Sequence, residues 1–164
     1  MQFVKMHGLG NDFIIFPEEE TGGVSSWPSF SLKICDRHKG VGGDGVILVL
    51  SSSVADLRMR IFNSDGSEAE MCGNGIRCLA KFAFERGIVN KKEFTVETKA
   101  GIIIPRITEE EEGKVRRVRV NMGKPRFQPR EIPVDLEGKE VKNYPLEVEG
   151  RTFLISALSL GNPH

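Results

Sequence analysis

Short apolar runs separated by glycine, proline and asparagine dominate the first 120 residues. Residues 2–6 and 13–16 read as strands flanking the loop His7-Gly8-Leu9-Gly10-Asn11-Asp12. Residues 46–50 and 57–63 are the next strands. The second alternates, with Leu57, Met59 and Ile61 on one face and Arg58 and Arg60 on the other. Residues 94–98, 102–108 and 114–121 complete a strand-rich stretch. A polar loop spans 17–28, after which Ser29 is placed to cap a short helix running to about His38. Phe30 and Ile34 face inward there, with Leu32 as a third inward candidate.

The clearest helix runs from Gly73 to Gly87. Ile76, Cys78, Leu79, Ala80, Phe82, Ala83 and Phe84 leave only Arg77, Lys81, Glu85 and Arg86 polar. Positions 77, 81 and 85 fall on one line at helical spacing, so the expected solvent stripe is narrow and the helix is mostly surrounded. Gly87 ends it as a C′ residue. The pattern predicts an α+β fold, a sheet curling around one central helix.

The run Glu109-Glu110-Glu111-Glu112 sits between two strand patterns and precedes Gly113, which predicts a charged hairpin tip. Arg116, Arg117 and Arg119 follow as a solvated strand face partly paired with those glutamates. Pro125, Pro129, Pro133 and Pro145 then punctuate a charged stretch. The expected organisation is a domain over 1–121, a linker or crossing over 122–145, and the beginning of a truncated second domain over 146–164. A last strand, 151–160, leads into Gly161-Asn162-Pro163-His164. The roughly 40 residues after the first domain are too few for an independent core, so the chain is expected to be cut short, either a fragment or one part of a larger protein.

Composition narrows the function. Lys+Arg is 23 and Asp+Glu is 23, a net charge of zero, which argues against nucleic-acid or membrane-surface binding by bulk electrostatics. The longest aliphatic run, residues 46–50, is far below the roughly 20 residues of a membrane helix. The first residues carry no apolar secretory core, and three cysteines suit a reducing cytoplasm better than a disulfide framework. A cytoplasmic protein with neither nucleic-acid nor membrane partner is expected.

Glycine is in excess, 18 of 164, and clustered. Gly40-Val41-Gly42-Gly43-Asp44-Gly45 matches G-x-G-x-x-G literally, but a helix precedes it and a strand follows, the reverse of a dinucleotide site. A tight turn is the better account. Cys35 and His38 have a zinc-like spacing without a second ligand pair, so no metal is expected, and Cys35 and Cys78 read as small core residues. Cys72 differs. It precedes Gly73-Asn74-Gly75 at the start of the buried helix, where free N–H groups favour a thiolate and an adjacent anion such as a carboxylate. Asn11, Asn63, Asp65, Asn162 and His164 are further polar candidates. Residue types alone leave three readings open: proton transfer, an anion-binding module with Cys72 incidental, and a cysteine hydrolase or transferase using His164 as base.

Four strings in order carry a resemblance: Lys5-Met6-His7-Gly8-Leu9-Gly10-Asn11-Asp12-Phe13, Phe62-Asn63-Ser64-Asp65-Gly66-Ser67, Met71-Cys72-Gly73-Asn74-Gly75-Ile76-Arg77-Cys78 and Gly161-Asn162-Pro163-His164. Together they resemble the front part of the diaminopimelate epimerase family. The resemblance implies two pseudo-symmetric α/β domains, each a mostly antiparallel sheet wrapped on a central helix, with the active site between them. It implies interconversion of LL- and meso-diaminopimelate in lysine and peptidoglycan-precursor biosynthesis, with no cofactor, a small-molecule substrate, and a homodimer when full length. Two cysteines, one per domain, then act on opposite faces of the α-carbon. On this resemblance Cys72 is one of them, and the Gly73 and Asn74 amides hold the α-carboxylate. Asn11, Asn63 and Asn162 bind substrate, and His164 tunes the thiols. Some family members carry a substrate-touching glutamine where this chain has Gly45. The second cysteine and the family's downstream Glu and Arg contacts have no counterpart within these 164 residues.

Overall fold

The computed structural model describes residues 1–160 and 163–164. They fall into two units, Met1–Asn121 and Met122–His164.

Two apolar strands build the centre of the first unit. β2 (Asn11–Pro17) and β3 (Gly45–Leu50) run parallel, with Phe13 opposite Gly45 and Ile15 opposite Ile47. Phe13, Ile14, Ile15 and Phe16 are all buried, as are Val46 to Val49, because both faces of these strands are covered. β1 (Val4–Gly8) pairs antiparallel outside β2, and β4 (Leu57–Asn63) antiparallel outside β3. β5 (Glu68–Ala69) pairs with the C-terminal end of β4, and β6 (Val96–Thr98) runs parallel to its other end, followed by β7 (Gly101–Ile103). The sheet is thus mixed but mostly antiparallel. Its two parallel pairings require crossovers, and these contain α1 (Trp27–Ile34) and α2 (Gly73–Glu85).

Strand alternation sends alternate residues to two cores. Phe13, Ile15, Ile47, Val49, Met59 and Ile61 pack with Ile76, Leu79 and Ala83 of α2. Ile14, Phe16, Val46, Leu48 and Phe62 pack instead with Trp27 and Cys35, at and just after α1. A separate antiparallel hairpin, β8 (Pro105–Glu111) and β9 (Lys114–Val120), also packs on α2 and adds Ile107 and Val115 to the first core. The expected α+β fold around a central helix is the one observed. Among the described residues no helix is long and apolar enough to cross a membrane.

Several local expectations are corrected. The loop between the first strands shrinks to two residues, Leu9 and Gly10, both at positive φ (56° and 87°), the geometry that lets a two-residue turn follow strand twist. α1 is capped by Ser26, whose side chain accepts from the Ser29 N–H, not by Ser29, because Pro28 suits the first turn. It ends at Ile34, four residues early, where the Asp36 carboxylate takes the His38 and Lys39 amides into a turn. Leu32 lies half in solvent, and the buried member of that stretch is Ser31, whose hydroxyl donates to the Pro28 carbonyl. The expected 102–108 strand breaks at Ile104, since Pro105 lacks the N–H to continue a ladder, and its halves become β7 and β8. Most of the acidic run lies within β8. The tip is Glu112-Gly113, and Glu109 and Glu111 pair with Arg117 and Arg116 at 2.9 and 3.2 Å.

The largest correction concerns the polar line of α2. Lys81 Nζ donates to the Val115 carbonyl (2.8 Å) and to Glu85 Oε1 (2.6 Å), and the same oxygen accepts the Val115 N–H (2.8 Å). Lys81 and Glu85 of that line dock the backbone of β9, and Arg77 turns to Asn74. Burial pushes the Glu85 carboxyl up, but Lys81 and the Val115 amide outweigh it and the net shift is downward.

The second unit holds a hairpin, β10 (Val141–Val148) with β11 (Arg151–Ala157), turned at Glu149-Gly150. β10 begins inside the stretch expected as a linker, and the last strand ends at Ala157. Tyr144, Leu146, Phe153 and Leu154 are exposed.

Two measurements check this packing. Glu85→Ala leaves the Val115 amide and a half-buried Lys81 without their partner, and is expected to cost about 1–3 kcal/mol in urea denaturation; a change near zero contradicts the docking role. Asp56 is held down at about 2 by Lys91 beside it and by the Thr95 N–H and hydroxyl. A carboxyl lowered on folding stabilises above its unfolded value near 4 and loses that contribution as pH falls toward 2. The thermal midpoint is therefore expected to decline over that window, and less steeply in Asp56→Asn.

Candidate active site

The site grows from the end of the sheet where β2 and β3 begin and β4 finishes. Register puts Gly45 beside both Phe13 and Asn63, so Asn11, Gly45 and Asn63 share that end. β5 then leads the chain through Met71 into Cys72, which occupies the N-cap of α2 with extended backbone (φ −143°, ψ 120°). A side chain at position 8 would press on Asn74, its Cβ 3.3 Å from the Asn74 carbonyl oxygen, so Gly8 lets the end of β1 close on the first turn of α2.

Cys72 is the only partly exposed cysteine of the three. Its Sγ accepts the Gly75 N–H at 3.4 Å, the bond expected of an N-cap, and its thiol donates to Asn11 Oδ1 at 3.7 Å. The same oxygen accepts from Asn74 Nδ2 at 3.2 Å, and Arg77 donates in turn to Asn74 Oδ1. The Ile76 amide returns to the Cys72 carbonyl (2.8 Å), whereas no described residue accepts from the backbone N–H of Gly73 or Asn74. Two amides of the first turn are thus open beside the sulfur, where an anionic group gains both hydrogen bonds and the helix dipole. Burial pushes the thiols of Cys35 and Cys78 up to about 11, which keeps both protonated near neutrality.

The structure brings Cys72, Asn74 and Asn11 into one hydrogen-bonded cluster, with Gly73 between Cys72 and Asn74 in the chain, and sets Asn63 on the same sheet end. Asn63 Nδ2 donates to Ser67 Oγ (2.9 Å), and Ser67 bonds Asp65, so Asp65 closes the turn as its composition suggests. His164 belongs to the other unit, with its side chain exposed and its backbone paired with Leu158. Asn162 lies outside the described residues. At position 45 a Cβ would stand 2.6 Å from the Phe62 carbonyl oxygen, so this point offers backbone only. Among the described residues no three His, Cys, Asp or Glu side chains gather as a metal site.

Sequence reasoning missed Asp44, Asp12, Arg37 and Arg77. Asp44 accepts from Asn11 Nδ2 (2.8 Å), from the Asp12 N–H (3.0 Å) and from Arg37 (2.8 Å). Arg37 also grips Asp12 at 2.7 Å and, with Lys5, holds that carboxyl well below the usual carboxylate range. The glycine cluster was the available signal, because it shapes the loop that carries Asp44.

Residues 3–128 match the diaminopimelate epimerase family. Curated diaminopimelate epimerases align along the entire chain, that of Caldanaerobacter subterraneus subsp. tengcongensis at 49% identity and that of Heliobacterium modesticaldum at 54%. The chain spans 58% and 59% of their lengths respectively. Among solved structures, a probable proline racemase from Agrobacterium radiobacter K84 is similar in fold, with a TM-score of 0.69 at 17% identity over 95% of this chain and 48% of that one. With Cys72, Gly73, Asn74 and Asn11 clustered as described, this chain belongs to the diaminopimelate epimerase family.

Proposed function

We propose that Cys72 is one of two acid/base sulfurs in a cofactor-independent epimerase that interconverts LL- and meso-diaminopimelate in lysine and peptidoglycan-precursor biosynthesis. The observation that carries this reading is a half-buried sulfur capping α2 beside two amides, Gly73 and Asn74, that no described residue occupies. The substrate α-carboxylate sits on those amides, which places the α-carbon near the sulfur. One sulfur, as thiolate, takes the α-proton. The electron pair left behind spreads into the carboxylate, where pre-aimed N–H donors stabilise it at the moment it forms. The other sulfur, as thiol, returns a proton to the opposite face. One C–H bond breaks and one forms, nothing is oxidised, and the two sulfurs exchange protonation states.

By resemblance the second sulfur lies in the portion of the relatives that this chain does not span. Asn11, Asn63 and Asn162 contact the substrate, His164 adjusts the thiols, and the enzyme works as a homodimer in the cytoplasm. A helix start that binds the carboxylate beside the sulfur lets neighbouring residues serve binding and chemistry together.

In the protein joined to the rest of its family's length, Cys72→Ser is expected to lower solvent-deuterium incorporation at the α-carbon by about 10²–10⁴-fold. Diaminopimelate binding by calorimetry stays within a few-fold. Unchanged turnover assigns the site to ligand binding alone. The 164-residue polypeptide by itself is expected to incorporate no deuterium above background, and to gain activity when the remaining portion is supplied in trans. Fast turnover by the polypeptide alone contradicts the two-sulfur scheme.

A further inference from the structure

We propose that Asp44 is a positioning residue that locks the Asn11 amide with its oxygen toward Cys72, so that the sulfur faces an acceptor on one side and a donor on the other. The inference rests on the reading of Cys72 as an acid/base group and assigns work to the glycine cluster, which that reading leaves idle.

A chain of hydrogen bonds runs Arg77 to Asn74 to Asn11 to Asp44, and its two ends fix its direction. A guanidinium only donates, so Asn74 turns its oxygen to Arg77 and its NH₂ to Asn11. A carboxylate only accepts, so Asn11 turns its NH₂ to Asp44 at 2.8 Å and leaves Oδ1 for Asn74 and for the thiol. Neither amide can flip without opposing like groups at both of its ends. The sulfur therefore sees the Asn11 oxygen, which suits S–H, and the Gly75 N–H, which suits S⁻. A group that must be acid in one direction of a reversible reaction and base in the other needs both.

The loop around Asp44 is held from three sides. Gly42 and Gly43 donate to the carbonyls of Ile34 and Cys35, Asp44 donates to Asp12, and Ser64 donates to Asp44. The missing side chain at Gly45 admits the Phe62 carbonyl, which closes the loop onto β4. Arg37 then joins Asp44 to Asp12 and offsets the paired negative charge.

The test is alkylation of Cys72 by iodoacetamide at neutral pH, followed by peptide mass spectrometry, in this chain and its variants. Asp44→Ala removes the acceptor from the Asn11 NH₂, so the lock is lost and Asn11 is free to turn its NH₂ to the sulfur. Cys72 is expected to react at least about three-fold faster. In an Asn11→Ala background, Asp44→Ala should change the rate by less than about half that factor, because the effect passes through Asn11. An unchanged rate in a folded Asp44→Ala protein overturns the proposal. So does an equal acceleration in the Asn11→Ala background, which would mark a through-space charge effect. Should Asp44→Ala not fold, Asp44→Ser, whose hydroxyl both donates and accepts and so fixes no direction for the Asn11 amide, is read by the same criteria. Absence of deuterium incorporation in the unmutated complete enzyme would strike the proposed function alone, since the alkylation rates do not depend on turnover.

Discussion

An α-helix cannot satisfy the amides of its own first turn, and the rest of this site follows from where α2 is obliged to begin. The helix packs against β1 to β4 and against the β8–β9 hairpin, so its apolar residues and its Lys81–Glu85 line are both committed. Its start is thereby held at the end of the sheet, and Cys72 arrives there as the cap. A cysteine is a weaker cap than serine or aspartate, and its single bond to the Gly75 amide leaves the Gly73 and Asn74 amides open. The fold supplies two open amides and a sulfur at neighbouring positions.

The two-sided sheet gives that arrangement its stiffness. β2 and β3 are buried on both faces, so Asn11 and Asp44, at their leading ends, extend from the least mobile strands of the unit. Both crossovers contribute to the site. The first ends in the glycine-rich loop that brings Asp44 and Arg37 to Asn11, and the second delivers Cys72 and Asn74 from the other direction. Asn11 is where the two meet, which is why a small amide there bonds three groups, Cys72, Asn74 and Asp44, with Arg37 behind Asp44.

Much of this was legible in the sequence wherever one periodicity ruled. The apolar surround of α2, the buried runs of β2 and β3, and the alternation of Leu57, Met59 and Ile61 each have one reading. The sulfur at 72 stood out because a helix, glycines and a thiol coincide. Tertiary choices were hidden. Nothing local tells Lys81 and Glu85 that the edge of β9 will lie over them. Pro105 splitting one apolar run between two sheets is a packing outcome, as is the shift of the α1 cap from Ser29 to Ser26. Asp44 was hidden because acidic residues in turns are common, and its meaning lies in Asn11, 33 residues away.

On the proposed function, the open first turn of α2 takes the substrate carboxylate beside Cys72. Backbone hydrogen exchange at Gly73 and Asn74, followed by NMR in the chain completed by the rest of its family's length, tests it most directly. The account predicts fast exchange at both amides without ligand, in contrast to Ile76, and slowing by at least about ten-fold when diaminopimelate saturates the protein. Amides already protected without ligand, or indifferent to it, would contradict the account.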